Sequence, residues 1–432
     1  MELKEFKARR KDLMQMVGED SIVIIPAAPE RKRNRDVYHR YRQDSDFFYL
    51  TGFVEPEAVL VLVPGREHGE VLMFCREKDP LKETWDGRRV GLEAICDLFA
   101  IDDSFPISDI DDILPGIIEG RDKLYCTMGI DSAFDKKVMG WINHIRENSR
   151  KGVHPPHEIV SLENILHEMR LYKSAFEIKQ MKRAAKLSAQ AHILAMQVCK
   201  PGMMEYELDA EIVHHFMKNG ATYAYPSIVG GGGNGCILHY IENNTPLKDG
   251  DLVLIDAGAE YDHYAGDISR TFPVNGKFSA EQKAVYEIVL EAQLAAINAA
   301  QPNNHWNQPH EAVLQIITQG LIDLGLLEGT VNDQIEQSGY QQFFMHRTGH
   351  WLGMDVHDVG DYKVNGEWRM LEKGMALTIE PGIYIAPSKG VDKRWWNIGI
   401  RIEDDVVITS KGNEVITKDA PKTVADIEDA MS

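Results

Sequence analysis

The spacing of apolar residues changes character near Lys151. Before it, apolar positions come in short β-type runs: SIVIIPAA after Asp20, then Phe47–Tyr49, Ala58–Val63 and Glu70–Phe74. Alternating or continuous runs of this length, bounded by turn residues, predict strands. The stretch Lys151-Gly152-Val153-His154-Pro155-Pro156 reads as punctuation between two domains. After it the period becomes helical. Ser174-Ala175-Phe176-Glu177 is a capping box ahead of a long periodic segment that stops at Lys200-Pro201-Gly202. A second helix is predicted over Glu205–Lys218, closed by Asn219-Gly220. A third begins at Ser279, with Gln282 completing another capping box, and a fourth covers Glu311–Leu324. Strands are predicted at Leu252–Ile255, near 375–380 and near 398–408.

The order helix, helix, strands thus occurs twice, and the letters carry the same duplication. LKDGDLVLIDAG (247–258) lies over LEKGMALTIEPG (371–382), with leucine, glycine, isoleucine and the last glycine coinciding. Asp256 falls on Glu380. Turn-strand-turn patterns also recur by chance, so the shared order of elements is what supports a true repeat. The fold class read from this is α/β (α+β). A mixed α/β domain over 1–165 precedes a domain over 166–432 built from two pseudo-symmetric helix-helix-strand halves, whose strand ends face each other.

Composition narrows the partners. At 432 residues, 44% hydrophobic and 26% charged, the chain reads as a soluble two-domain protein. No apolar run approaches the ~18 residues of a membrane span. A net charge of −20 disfavours nucleic acid and anionic membrane as partners. The N-terminus, MELKEFKARRKDLMQMV, lacks the apolar core of a signal peptide, and five cysteines are scattered singly. Both features point to reduced thiols and a cytoplasmic setting.

The strand Leu252–Ile255 runs straight into a carboxylate, Asp256, and eleven residues later Asp267 follows a glycine. The second repeat ends on Glu380, the last strand carries Glu403 after Arg401, and MHRTGHWLGMDVHD (345–358) supplies His346, His350 and His357. Each has an ordinary reading. Asp256, Asp267 and Glu380 suit turns, His350 could be a satisfied core histidine, and Glu403-Asp404-Asp405 could be a solvated charge run. The repeat changes this, because it brings Asp256 and Glu380 together at the axis. Four carboxylates and one imidazole meeting there repel unless cations neutralise them. Two divalent ions would do so, and this donor set suits Mn²⁺, Mg²⁺, Co²⁺ or Zn²⁺. Paired metals ~3.5–4 Å apart hold an attacking hydroxide in hydrolytic sites. The glycine run VGGGGNG lacks the spacing of a phosphate loop and is read as a flexible loop leading to His239.

These residues resemble the aminopeptidase P family of pita-bread metallopeptidases over nearly the whole chain. The resemblance is carried by YRQDSDFFYLTGFVEPEAVLVL (41–62), WDGRRVG (85–91), NGCILHY, DGDLVLIDAG, YAGDISRTFPVNGKF, FFMH, GHWLGMDVHDVG, TIEPGIYI and GIRIEDD. It implies a creatinase-like N-terminal domain, a pita-bread catalytic domain, and removal of the first residue from peptides with proline second. Asp256 would hold one metal, Asp267 and Glu403 would bridge both, and His350 and Glu380 would complete the other. Mn²⁺ and a homotetramer are implied. His239 and His357 would contact substrate and the developing oxyanion, and Arg401 would steady the ligand carboxylates. Glu380 would shuttle the proton, and His346 and Tyr384 would lie on the substrate side. Trp85 would reach a neighbouring subunit's site, the alternative being a locally packed indole. Arg347-Thr348 departs from the small or apolar residues anticipated there. Prolidase, which clamps a free prolyl carboxylate, is the nearest alternative, and Arg347 is the candidate clamp. A non-catalytic binding module and organophosphorus ester hydrolysis are the others.

Overall fold

The computed structural model describes residues 3–432 and divides after Met169, so that Arg170–Ser432 forms a unit of its own. In the first unit, helix α1 (Leu3–Val17) precedes β1 (Ser21–Pro26), the centre of a six-stranded sheet. The other strands are β2 (Val59–Leu62), β3 (Val71–Cys75), β4 (Asp103–Pro106), β5 (Lys123–Cys126) and β6 (Glu158–Ser161), in the order β4-β3-β2-β1-β5-β6. The β1/β2 and β2/β3 pairs are antiparallel and the rest parallel. Ile22, Ile24, Val61, Leu72 and Phe74 pack beneath Leu114, Trp141 and Ile145.

Two expectations fail in this unit. Phe47–Tyr49 is not a strand but part of helix α2 (Ser45–Thr51). Asp44 caps it through the Phe47 N–H at 2.9 Å, Gly52 closes it at φ 68°, and burial on every side erases the helical period. Lys151–Pro156 is not the break between domains, because the chain goes on to add β6 to the same sheet. Helix α3 (Pro80–Asp86) buries no residue at all.

The second unit opens with α4 (Ala175–Val198) and α5 (Glu205–Lys218). The Ser174/Glu177 capping box starts the first. Strands β7 (Ile228–Gly231), β8 (Leu252–Asp256) and β9 (Ser269–Pro273) follow as an antiparallel sheet in that order. The glycine run is therefore partly strand, and Gly232–Cys236 is a 3₁₀ turn rather than a flexible loop. A Cβ on Gly230 would stand 2.9 Å from the backbone of Asn234 and Gly235, so this close approach needs glycine.

The second half repeats the plan with α6 (Ala280–Ala299), capped by Ser279/Gln282, and α7 (Gln308–Asp323). The latter starts three residues earlier than the apolar period suggests, because Pro309 fits a first helical turn. Strands β10 (Ala376–Ile379), β11 (Gly382–Ile385), β12 (Ile398–Arg401), β13 (Asp404–Ile408) and β14 (Asn413–Val415) complete it. One core joins both halves, including Leu187, Phe216, Val253, Val289, Ile317 and Ile400.

The seam between the halves is polar and buried. Glu403 N–H donates to the Ser269 carbonyl at 3.0 Å, and Arg270 donates to the Glu403 carbonyl at 2.6 Å. Arg270 also meets Asp404 at 2.8 Å with neither side chain exposed, and Lys422 reaches the other Asp404 oxygen at 2.7 Å. Burial alone would raise the Asp404 carboxyl, but Arg270 and Lys422 hold it well below the usual range.

Removing one partner strands a buried charge, so R270M should lower stability of this unit by about 3–5 kcal/mol in urea denaturation. A depressed native pKa adds stability that is complete above the unfolded value near ~3.9 and is lost as pH falls below it. The gap between wild type and R270M should therefore narrow below about pH 4.

Candidate metal centre

Strand β8 delivers Asp256 as its last residue, opposite Ser269 of β9. An intervening hairpin of Ala259–Tyr261 and Tyr264–Ala265 brings Asp267 back two residues ahead of β9. It requires Gly258, whose Cβ would overlap the Gly266 carbonyl. The second half uses a different device. β10 pairs with β13 up to Ile379–Asp404, and β11 pairs with β12 from Gly382–Arg401 onward. Both chains break between these pairings, at Glu380-Pro381 and at Ile402-Glu403. A proline on one side and the Glu403 N–H given to Ser269 on the other prevent continuation. The predicted strand over 398–408 is thus two strands, and the break aims Glu403 at the seam beside Glu380.

His350 is held by its backbone, which exchanges hydrogen bonds with Thr378. Its Nδ1 lies 2.9 Å from the Trp351 carbonyl, which leaves Nε2 free as a ligand atom. Nε2 stands 3.4 Å from Asp267 and 3.8 Å from Glu380. Asp267, His350 and Glu403 each offer a ligand atom within 4.8 Å of the others. Asp267 and Glu403 are 4% and 2% exposed, so neither belongs to a turn or charge run facing solvent; Asp404 and Asp405 are buried as well.

Arg401 donates to Asp256 at 2.7 Å, to Ser269 Oγ at 2.8 Å and to the Tyr384 hydroxyl at 3.0 Å. Ser269 Oγ in turn donates to Glu403 at 2.8 Å. One buried guanidinium therefore orients a carboxylate from each half. Tyr384 lies beneath the cluster, only 2% exposed, and its hydroxyl also meets His346 Nε2 at 2.9 Å. Tyr384, expected on the substrate side, is thus not an exposed surface. His346 comes within 3.8 Å of Glu380. The His357 ring meets His350 edge-on at 4.4 Å, and His239 and His357 are exposed. Trp85 stands on α3 of the other unit, 87% exposed, so it is not locally packed.

Three contributors carry no sign in the sequence. Tyr225 donates to Asp256 at 2.6 Å and also contacts Asp267. Ser269 links Arg401 to Glu403. His192 of α4 meets the Ala257 carbonyl at 3.0 Å and braces the turn after Asp256. Arg347, the departure noted above, is bound to Asn307 and sits 5.3 Å from the Trp368 ring centroid. Thr348 beside it is buried and holds His310 at 2.8 Å.

Burial, with Asp267 and Asp256 close by, lifts Glu380 to about 7 despite His350 and Arg401. Burial likewise raises Asp256 and Glu403, the latter well above its ordinary value. Burial would also raise Asp267, but its hydrogen bond to His350 pulls it down. Burial would lower His350, yet Asp267 and Glu380 raise it to about 9. The cluster thus competes for protons in the absence of a stronger cation. Oxygen donors with one anchored imidazole fit a divalent metal ion.

Residues 179–410 match the model of metallopeptidase family M24, and residues 6–125 match the aminopeptidase P N-terminal domain. Xaa-Pro aminopeptidase of Escherichia coli is 45% identical over 430 residues, covering 99% of this chain and 97% of that protein. The solved structure of Pseudomonas aeruginosa aminopeptidase PepP is 59% identical at a TM-score of 0.99, covering 100% of this chain and 98% of that one. Zinc-substituted E. coli aminopeptidase P in complex with product is 44% identical at a TM-score of 0.97, with coverage of 100% and 98%.

A metal held only by the native state stabilises it by RT ln(1 + [L]/Kd), about 2.7 kcal/mol at a hundredfold excess over Kd. Chelation should therefore lower the melting temperature of the unit Arg170–Ser432 in calorimetry, and divalent ion should restore it. Equal melting with and without chelator would exclude this site.

Proposed function

The chain belongs to metallopeptidase family M24, and on that premise we propose that it is a metal-dependent Xaa-Pro aminopeptidase. It releases the first residue of peptides with proline at the second position. The observation that carries this reading is the junction of buried Asp267 and Glu403 with half-buried Asp256, His350 and Glu380, in a chain related over 99% of its length to Xaa-Pro aminopeptidase.

All five residues would hold a pair of divalent ions. Charge supports that number. Four carboxylates against Arg401, with His350 neutral as a ligand, leave three negative charges, more than one divalent ion cancels. The donor set admits Mn²⁺, and the resemblance to the aminopeptidase P family makes it the metal we propose. Bound divalent ions would acidify water and polarise the scissile carbonyl. Glu380 carries the proton from the attacking water to the prolyl nitrogen. His357 and His239, both exposed, donate to the oxygen on which charge develops. Arg401 keeps Asp256 oriented, and Tyr384 holds both Arg401 and His346 in place. The α-amine of the substrate binds at the acidic cluster, which selects the N-terminus.

Arg347, the candidate clamp of the dipeptidase alternative, is engaged by Asn307 and Trp368, which favours the aminopeptidase reading. Trp85, exposed with Leu81 on the same short helix, serves as an anchor between subunits of a homotetramer. Five free cysteines suit a cytoplasmic enzyme.

Purified protein loaded with Mn²⁺ should cleave X-Pro-Y peptides at the X-Pro bond and act far more slowly on X-Pro dipeptides. The reverse preference would make it a dipeptidase. E380Q keeps the shape but removes the base and a ligand charge, so kcat should fall at least ~10²-fold with metal present. For Trp85, W85A should weaken association in sedimentation without lowering thermal stability. A fully active monomer at assay concentration would remove the subunit-bridging role.

A further inference from the structure

A second group of metal-binding side chains lies in the first unit. One donor atom from each of Asp122, His154 and His157 falls within 4.8 Å of the others. The two imidazole rings stack at 5.1 Å and 10°. We propose that these three residues form a transition-metal site that clips the segment before β6 to the turn before β5.

The backbone organises the group. Asp122 immediately precedes β5 and His157 immediately precedes β6, two parallel strands in which Lys123 lies opposite Glu158. His157 N–H donates to the Asp122 carbonyl at 2.8 Å, so the two side chains leave the same end of the sheet side by side. Asp122 N–H is itself tied to the Asp20 carbonyl at 2.8 Å, next to β1. The His154 carbonyl accepts from Gly120 N–H at 3.1 Å. Pro155 and Pro156 restrict φ between the histidines and set their separation. All three ligands are thus carried on backbone fixed to one corner of the sheet, with the histidines 32 and 35 residues after Asp122 in the chain.

Two imidazoles and one carboxylate, without thiolate, favour Zn²⁺, Cu²⁺, Ni²⁺ or Co²⁺ over Mg²⁺ or Ca²⁺. Water would complete the coordination on this open face. The role that follows is to bind metal and pin the loop, since nothing encloses a substrate there.

The test uses the full-length protein, equilibrium-dialysed against micromolar Zn²⁺ and analysed for metal by mass spectrometry. The variant His154→Ala/His157→Ala should carry about one ion fewer per chain than wild type. Its X-Pro-Y hydrolysis should be unchanged, which shows that the acid cluster of the second unit still holds its own metal. Equal zinc content in variant and wild type would overturn the proposal. If the double variant melts early, Asp122→Asn is nearly isosteric and gives the same reading. It should weaken retention of that zinc roughly tenfold or more, and unchanged retention would again overturn the site.

Discussion

Like charges buried within reach of one another are the constraint on which this molecule is built. At an effective dielectric constant near 20, two carboxylates about 4 Å apart repel by roughly 4 kcal/mol. Asp256, Asp267, Glu380 and Glu403 accept that repulsion at the seam of two half-domains. Arg401 and His350 relieve only part of it, and burial, with the neighbouring carboxylates, raises Glu380 and Glu403. A site in this state attracts divalent cations. The metal dependence of the family therefore follows from where the strands end.

The surrounding framework keeps the acids apart and aimed. Each half contributes two carboxylates, but by different routes. The first uses a strand end and a glycine-tight turn, and the second uses paired strands that break together at Glu380-Pro381 and Ile402-Glu403. Arg270 and Asp404, fully buried a short distance along the seam, fasten one half to the other through the backbone of Glu403 itself. A change at that ion pair acts on stability and on the position of the Glu403 carboxylate at once. Ser269 does the same on a smaller scale, by passing the orientation of Arg401 to Glu403.

The parts of this design that were legible in the sequence are the ones with local signals. Ser174/Glu177 and Ser279/Gln282 announce helix starts because capping is a contact over three residues. Asp256 and Glu380 stand out because a charge ending an apolar run is anomalous. The internal repeat, two distant segments sharing four of twelve residues and the same order of elements, then places them together. What could not be read depends on contacts between distant residues. Phe47–Tyr49 looks like a strand because a helix buried on every face shows no helical period. Gly230 and Gly231 look like loop until Asn234, Gly235 and Leu247 are seen to leave no room for a Cβ. Tyr225 and Ser269 have unremarkable neighbours, and only the folded seam brings their hydroxyls to the carboxylates. The engagement of Arg347 by Asn307 and Trp368 is invisible for the same reason.

The central claim is that the two halves exist to bring five ligands around a pair of metal ions. Anomalous diffraction at the manganese edge, from crystals of the Mn²⁺-loaded protein, tests it most directly. The account predicts two peaks about 3.5–4 Å apart at the seam, with Asp267 and Glu403 touching both, Asp256 touching one, and His350 with Glu380 touching the other. An empty seam in fully loaded crystals, or a single ion that leaves Asp256 or Glu380 unbound, would contradict it.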